Sequence, residues 1–420
     1  MKRSLLWNSF VCVGVLGLQV ATAQAGDLFG AAPLVLAPVE TDAAYAALAR
    51  DPSANTLSVV SVDASAVDEN SGKISLTLDI GGATQLTAMR QSSYRNPDGS
   101  LVWQGVVADT TARGRVGADE ITDDPMNSVM LVRNGDKVTG NVRVMGQLYK
   151  IRPLHDSRHV IVEVNEALMP VDHPADAYQA IFDASQAARK SASDVAPEAV
   201  AANTVIRVLV NYTQAVKSAV GDVAGLINLA VAESNQGYTN SDVSITMQLA
   251  GTGQVTYSET GNFDTDLARY RGTADGYMDS IHTQRNSTSA DVGILLVNDT
   301  AYCGLASAIG ATAATAFVAV YWDCATGYYS FAHEVGHLQS ARHDPANDPT
   351  NSPYTYGHGY QYASGGWRTI MAYNCSSNCT RLNFWSNPGK TYQGHAMGTT
   401  TRSDNHRVLN NTRATVAAFR

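Results

Sequence analysis

Basic residues are in short supply in this sequence. Lys and Arg number 29 against 38 Asp and Glu, giving a formal net charge of -9 over 420 residues. Nucleic-acid recognition needs a basic face, and no basic run or aromatic-interleaved patch supplies one. Long apolar runs are also missing beyond the N-terminus, so no later segment is suited to crossing a bilayer. Cysteine is scarce, with 5 in the chain and none between Cys12 and Cys303. With 45% hydrophobic content, the chain is ordinary globular material with room for two domains.

The first residues read as a secretory signal. Lys2 and Arg3 form a charged start, Leu5 to Val20 is mostly apolar, and Ala23-Gln24-Ala25 offers a small-x-small cleavage site. Residues 1–25 are therefore expected to be a signal peptide. The protein is expected to be secreted, extracellular or, in a bacterium, periplasmic, without membrane association. Cys12 leaves with that segment. The remaining Cys303, Cys324, Cys375 and Cys379 are an even set in an oxidising compartment, which favours two disulfides. Of the three connectivities, the local pairs Cys303–Cys324 and Cys375–Cys379 are preferred. A structural zinc on all four thiolates is the rival, disfavoured by the compartment.

Residues 26–177 read as a β-rich domain with no catalytic constellation. KISLTLDI (Lys73 to Ile80) alternates at period two, and SVMLVRN, KVTGNVRVMG, YKIRPL and HVIVEVN do so less strictly. Turn signals such as Asn134 to Asp136 separate them. Residues 178–202, rich in Ala and Ser with Arg189 and Lys190, predict a helical linker. From 203 to 420 strands alternate with helices: Thr204 to Thr213 as a buried strand, Gln214 to Asn235 as one long helix, DVSITMQLAG as a strand, Phe263 to Arg285 as a helical region and DVGILLVND as a third strand. That alternation predicts an α/β fold with a largely parallel sheet. Val408, Leu409, Val416 and Phe419 predict a closing helix.

The stretch HEVGHLQSARHD, His333 to Asp344, carries the chemistry. Residues four apart share one face of a helix, so His333 and His337 can direct two ring nitrogens at one zinc ion. Glu334 can reach a water on that ion as general base without binding the metal. His343 is the candidate third ligand, and three protein ligands leave a fourth position for water, the pattern of a catalytic site. A helix is expected from about Thr326 to Gln339, with Phe331, Val335 and Leu338 packed on the sheet and the histidines open to a cleft. The bland alternative is an amphipathic helix with two surface histidines.

HEVGHLQSARH matches the zincin pattern HExxHxxGxxH except at Ser340, which stands at the glycine position. With Thr369 to Tyr373 (TIMAY) resembling a Met-turn, the sequence resembles a metzincin zinc endopeptidase. The closest likeness is to bacterial reprolysin-like, adamalysin-related enzymes, among them the peptidyl-Asp metalloendopeptidases. The resemblance implies a twisted, mostly parallel sheet with an antiparallel edge strand at Gly304 to Ile309, an active-site helix, and a preceding β-rich prodomain. It implies Met371 as an apolar floor beneath the zinc and Tyr373 as a phenol that ligates the metal or bonds the oxyanion. A non-glycine at φ > 0 costs on the order of 1–2 kcal/mol, which the Ser340 bend must bear.

The function so implied is a secreted zinc-dependent endopeptidase, a monomer after maturation, acting on protein or peptide substrates. In it Glu334 takes the proton of a zinc-activated water. The alternatives are an exported binding or adhesion protein with a vestigial metal site, and a zinc hydrolase of non-peptide substrates. Some metzincins are kept latent by a prodomain side chain at the metal. Cysteine is excluded here, and Asp172, His173 and Asp176 are the candidates, set against ordinary loop residues. Arg368 or Arg381 is a candidate for favouring an acidic substrate side chain, set against surface arginines. The Asp/Asn/Pro/Gly-rich loop after Asp344 is compatible with Ca2+ but lacks regular ligand alternation. His358 within it is read as structural.

Overall fold

The computed structural model describes residues 26–31, 37–108, 119–173, 178 and 203–420. The expected signal peptide, Asp176 and all of the expected linker except Tyr178 lie outside these. The period-two segments form a ten-stranded sheet of β1 (Gly26–Asp27), β2 (Phe29–Ala31), β3 (Ala54–Val62), β4 (Lys73–Asp79), β5 (Ala83–Arg95), β6 (Leu101–Val107), β7 (Ser128–Asn134), β8 (Lys137–Val144), β9 (Gln147–Pro153) and β10 (His159–Val164). The order is β1-β4-β5-β6-β7-β8-β9-β10-β3-β2. Every pairing is antiparallel except β1 with β4. A helix, α1 (Ala43–Arg50), interrupts it, capped by the Asp42 carboxylate.

Alternation decides which face each side chain serves. Leu101, Trp103, Val129 and Leu131 join one core with Ile74, Leu76 and Leu78. Their neighbours Val102, Met130 and Val132 point the other way, against Leu229 and Ala232. Both faces of these strands are therefore buried.

The second layer is a five-stranded sheet in the order β12-β11-β13-β15-β14. Its members are β11 (Thr204–Tyr212), β12 (Ile245–Gln254), β13 (Val292–Val297), β14 (Gly304–Ala306) and β15 (Phe317–Tyr321). All neighbours run parallel except β14, which is antiparallel to β15 at the edge. Parallel strands covered on both faces read as continuous apolar runs, and all six residues of β13 are buried. The chain is thus mixed α/β, and its two sheets share one apolar core: Leu148, Val160 and Val162 lie in the same cluster as Ile206, Leu226 and Val320.

Three helices differ from expectation. The long helix over Gln214 to Asn235 is two, α2 (Gln214–Ala219) and α3 (Val223–Asn240). The break falls at Gly221, where a Cβ would lie 2.1 Å from the Pro153 carbonyl oxygen, and Asp222 caps the new start. The Phe263 to Arg285 region is likewise α4 (Phe263–Arg271) and α5 (Ser280–Ser287). The metal-motif helix, α6 (Ser330–Leu338), starts four residues later than predicted. Tyr329 before it is left-handed at φ 62°, and the preceding loop is committed elsewhere. Lys150 Nζ bonds Asp323 Oδ2 at 2.6 Å. Arg152 donates to Thr326 Oγ1 at 2.9 Å, and Arg143 donates to the Gly327 carbonyl at 2.7 Å. Glu233 of α3 accepts the Gly327 N–H at 2.8 Å. The final helix, α7 (Asn405–Val416), is present as expected.

Lys150 is fully buried, so removing its counter-charge leaves a desolvated ammonium between the sheets. Asp323→Ala is expected to destabilise the full chain by about 3–5 kcal/mol in a denaturant titration; a change below about 1 kcal/mol would contradict this placement.

Candidate metal centre

Helix α6 is amphipathic in the way its sequence requires. Phe331, Val335 and Leu338 are buried in the core. Gly336, between the two histidines, has no room for a side chain: a Cβ there would lie 2.7 Å from Trp385 and 3.2 Å from Met371 Sδ. Met371, fully buried, thus packs directly under the helix. The helix ends as the sequence demands despite the serine. Ser340 adopts φ 74°, Ser340 N–H reaches the His337 carbonyl and Ala341 N–H the Gly336 carbonyl, each at 2.9 Å. That reversal returns His343 to the first two histidines.

The three Nε2 atoms of His333, His337 and His343 form a triangle with every side 3.2 Å. A fourth, His173 Nε2, lies 3.0 Å from that of His343. All four ligand atoms fall within 4.8 Å of one another. His333 Nδ1 faces the Ile370 carbonyl at 3.0 Å, His337 Nδ1 that of Ala341 at 2.9 Å, and His173 Nδ1 that of Gly304 at 3.4 Å. A carbonyl only accepts, so each Nδ1 carries the proton and each Nε2 presents a lone pair.

The four rings are buried. Burial, foremost, drives His333 down to about 4 and His173 to about 3, and depresses His337 and His343 well below the usual value. Uncharged imidazoles with converging lone pairs fit a cation. Zinc–nitrogen distances of about 2.0–2.1 Å in a tetrahedron imply nitrogen separations of roughly 3.3–3.4 Å, close to those seen.

Glu334 is fully buried, and neither carboxylate oxygen completes a hydrogen bond. Burial raises its pKa well above the ordinary carboxylate value; Asp172 adds to the rise, while Arg381 and the Ala306 amide oppose it. It lies against β14, where a Cβ on Gly304 would come within 2.5 Å of its Oε1. Tyr373 stands against His343 with ring centroids 4.2 Å apart. Its N–H donates to Asp344 Oδ1 at 2.9 Å and its hydroxyl to the His173 carbonyl at 2.9 Å. Burial raises its pKa. His358 bonds the His343 and Thr350 carbonyls at 2.7 and 2.8 Å, a bracing role. In the loop read as compatible with Ca2+, Asp344 holds Tyr373 and Asn347, and Asp348 holds Arg342.

Several residues are not where the sequence suggested. The histidines of α6 were expected open to a cleft but are covered, because residues 171–173 and Tyr178 lie over them. Tyr178 stacks on His173 at 5.3 Å between centroids and lies tilted against His343 at 4.2 Å, and its hydroxyl donates to Asp348. Asp172 and His173 are buried rather than ordinary loop residues. Arg368 and Arg381, weighed as surface arginines, are both fully buried. Arg368 donates to the Ala372 and Cys379 carbonyls and to Tyr328 Oη. Arg381 donates to the Tyr328 carbonyl and pairs with Asp172. Nothing in the sequence around Tyr178 pointed to this contact. The two disulfides are Cys303–Cys324, beside β14, and Cys375–Cys379, between the two arginines in sequence.

A mixed α/β fold carrying a three-histidine centre beside a buried glutamate defines a zinc metallopeptidase. Residues 202–385 match metallo-peptidase family M12. A peptidyl-Asp metalloendopeptidase of Stenotrophomonas maltophilia (strain K279a) is 52% identical over 97% of both chains. One of Xanthomonas campestris pv. campestris is 53% identical over 88% of this chain and 87% of its own. One of Pseudomonas fragi is 51% identical over 45% of this chain and the whole of its own. The chain belongs to this family of zinc metalloendopeptidases, and its substrates are proteins or peptides.

The close approach at Gly304 makes that residue a test of the site. Gly304→Ala is expected to displace the Glu334 carboxylate and lower kcat/KM by about 100-fold, with zinc content by metal analysis unchanged. Undiminished hydrolysis would show the glutamate free to move without loss.

Proposed function

We propose that the protein is an exported zymogen whose processed form hydrolyses peptide bonds next to an acidic residue. The ligands in this reading are His333, His337 and His343 through Nε2. The observation that carries it is the triangle of imidazole nitrogens beside a buried carboxylate. One zinc ion held there supplies the Lewis acidity that lets water attack a carbonyl at neutral pH. Glu334 receives the proton from that water and returns it to the amine nitrogen as the C–N bond breaks. The Tyr373 hydroxyl, a donor to a backbone carbonyl already, donates to the substrate carbonyl oxygen as charge builds on it. Met371 keeps the underside of the site apolar. The edge strand β14 offers main-chain groups to an extended peptide.

In the same reading residues 1–25 are a signal peptide, 26–177 a β-rich propeptide, 178–202 the region of maturation cleavage and 203–420 the mature enzyme, a monomer outside the cytoplasm. The start of the M12 match at residue 202 supports that boundary, as does the covered centre. The two disulfides suit an oxidising compartment. No helix of the described residues is long and apolar enough to cross a membrane.

The acidic preference comes from the relatives, which are named for aspartate, and from two guanidinium groups buried close to the centre.

Glu334→Gln is expected to keep zinc and fold while losing at least about 1,000-fold in kcat on casein; retained activity, or hydrolysis that persists under a chelator, would refute the mechanism. Profiling a peptide library with Arg381→Ala should show the acidic preference reduced. A profile identical to the parent's would remove Arg381 from substrate recognition.

A further inference from the structure

The segment from Pro170 to His173 sits on the catalytic layer as a bound peptide would. Cys303 N–H donates to the Val171 carbonyl at 2.9 Å, and Gly304 N–H to the Asp172 carbonyl at 3.2 Å. Both amides lie at the entry to β14, the strand that a substrate would extend. Tyr373 Oη donates to the His173 carbonyl, so the segment's backbone also occupies the hydroxyl assigned to substrate. The side chains continue the likeness. His173 aims Nε2 at the metal-binding triangle, and Asp172 enters the pocket of buried arginines.

That pocket is a built site. Arg381 Nη2 donates to Asp172 Oδ2 and its Nη1 to the Tyr328 carbonyl at 3.0 Å. Its guanidinium lies 4.4 Å from the Tyr328 ring centroid, with that of Arg368 5.3 Å from the same ring. Asp172 Oδ1 and Arg381 Nε have no partner. Arg381 pairs with the Asp172 carboxylate, and Arg368 feels it at longer range, so removing it would leave buried positive charge less compensated. In the uncleaved chain Asp172 supplies that anion.

We propose that Asp172–His173 is an intramolecular substrate mimic: the Asp172 carboxylate fills the pocket that takes a substrate's acidic side chain, while the adjacent His173 imidazole takes the fourth position at the metal. Tyr178 lies over the rings of His173 and His343 and closes the assembly. The device excludes both the acidic residue of a substrate and the water that would attack it. It rests on the zymogen reading above. It goes further by naming the two adjacent residues that occupy the two subsites and by making one pocket serve latency and specificity. Removal of the propeptide frees both subsites together.

The test uses the full chain in a Glu334→Gln background, which prevents self-cleavage, loaded with Co2+ so that visible absorption reports the ligand set. The parent should show a four-nitrogen spectrum and slow metal loss to a chelator. His173→Ala should admit water, change the spectrum and lose metal about 10–100-fold faster. His173→Gln, closer in size, decides the point if the alanine variant does not fold. Asp172→Asn should speed metal loss while leaving the histidine in place. Restoring Glu334 in the His173→Ala chain should give hydrolysis before any cleavage of the chain. Spectra and metal loss identical in all variants would overturn the proposal. His343→Ala separates the two readings: if it too leaves metal binding unchanged, the three-histidine centre itself is wrong. If it abolishes binding while His173 variants change nothing, only the substrate mimic falls.

Discussion

The imidazoles of His333, His337 and His173 turn Nε2 lone pairs toward one point that His343 Nε2 also faces, and burial denies them water. A cation among them satisfies these lone pairs together, and so the centre is a constraint on everything around it. The carbonyls of Ile370, Ala341 and Gly304 hold the ring tautomers. Those carbonyls come from the Met-turn, the helix exit and the edge strand. Each must therefore be positioned to a fraction of an ångström. The rest of the fold reads as the means of doing so.

The N-terminal sheet contributes to that positioning from outside the centre. Arg143, Lys150 and Arg152 reach across to residues 323–327, the approach to the metal-bearing helix. Glu233 of α3 fastens both Asn141 of the sheet and the Gly327 amide. The layer that covers the cleft is thus also the one that orders the entry to the catalytic helix. These charged, hydrogen-bonded contacts border an apolar core that the two sheets share, in which Leu148 and Val160 lie with Ile206 and Val320.

The part of the site within one helix and its exit was legible because a helix has a fixed period. His333, Glu334 and His337 follow from 3.6 residues per turn, and His343 from the length of one reversal. Ser340 shows the same logic at a position where the usual residue is absent: the backbone takes φ 74° anyway, since the strain of one residue is small beside the binding of a metal. The local disulfide pairs were readable for a similar reason, as short-range features, whereas the edge strand was implied only by the resemblance and ends at Ala306 rather than Ile309. Helix lengths were read less well. Gly221 sets one break against the Pro153 carbonyl, and Arg143, Lys150 and Arg152 hold the loop before α6, all of them partners far off in sequence.

What the chain order and residue types determined alone was the chemistry on offer: two histidines at zinc-binding spacing on one helix, a glutamate beside the first, a parallel sheet to carry them and a β-rich segment in front. Local geometry converts those letters directly into relative positions. What only the tertiary structure decided was the state of that chemistry. His173 lies 170 residues from His343 in the chain yet 3.0 Å from it in space, and Arg381 meets Asp172 across 209 residues. No periodicity spans such separations. They are set by how two sheets pack, and packing turned two arginines that read as surface charges into a buried pocket and two open histidines into a covered centre.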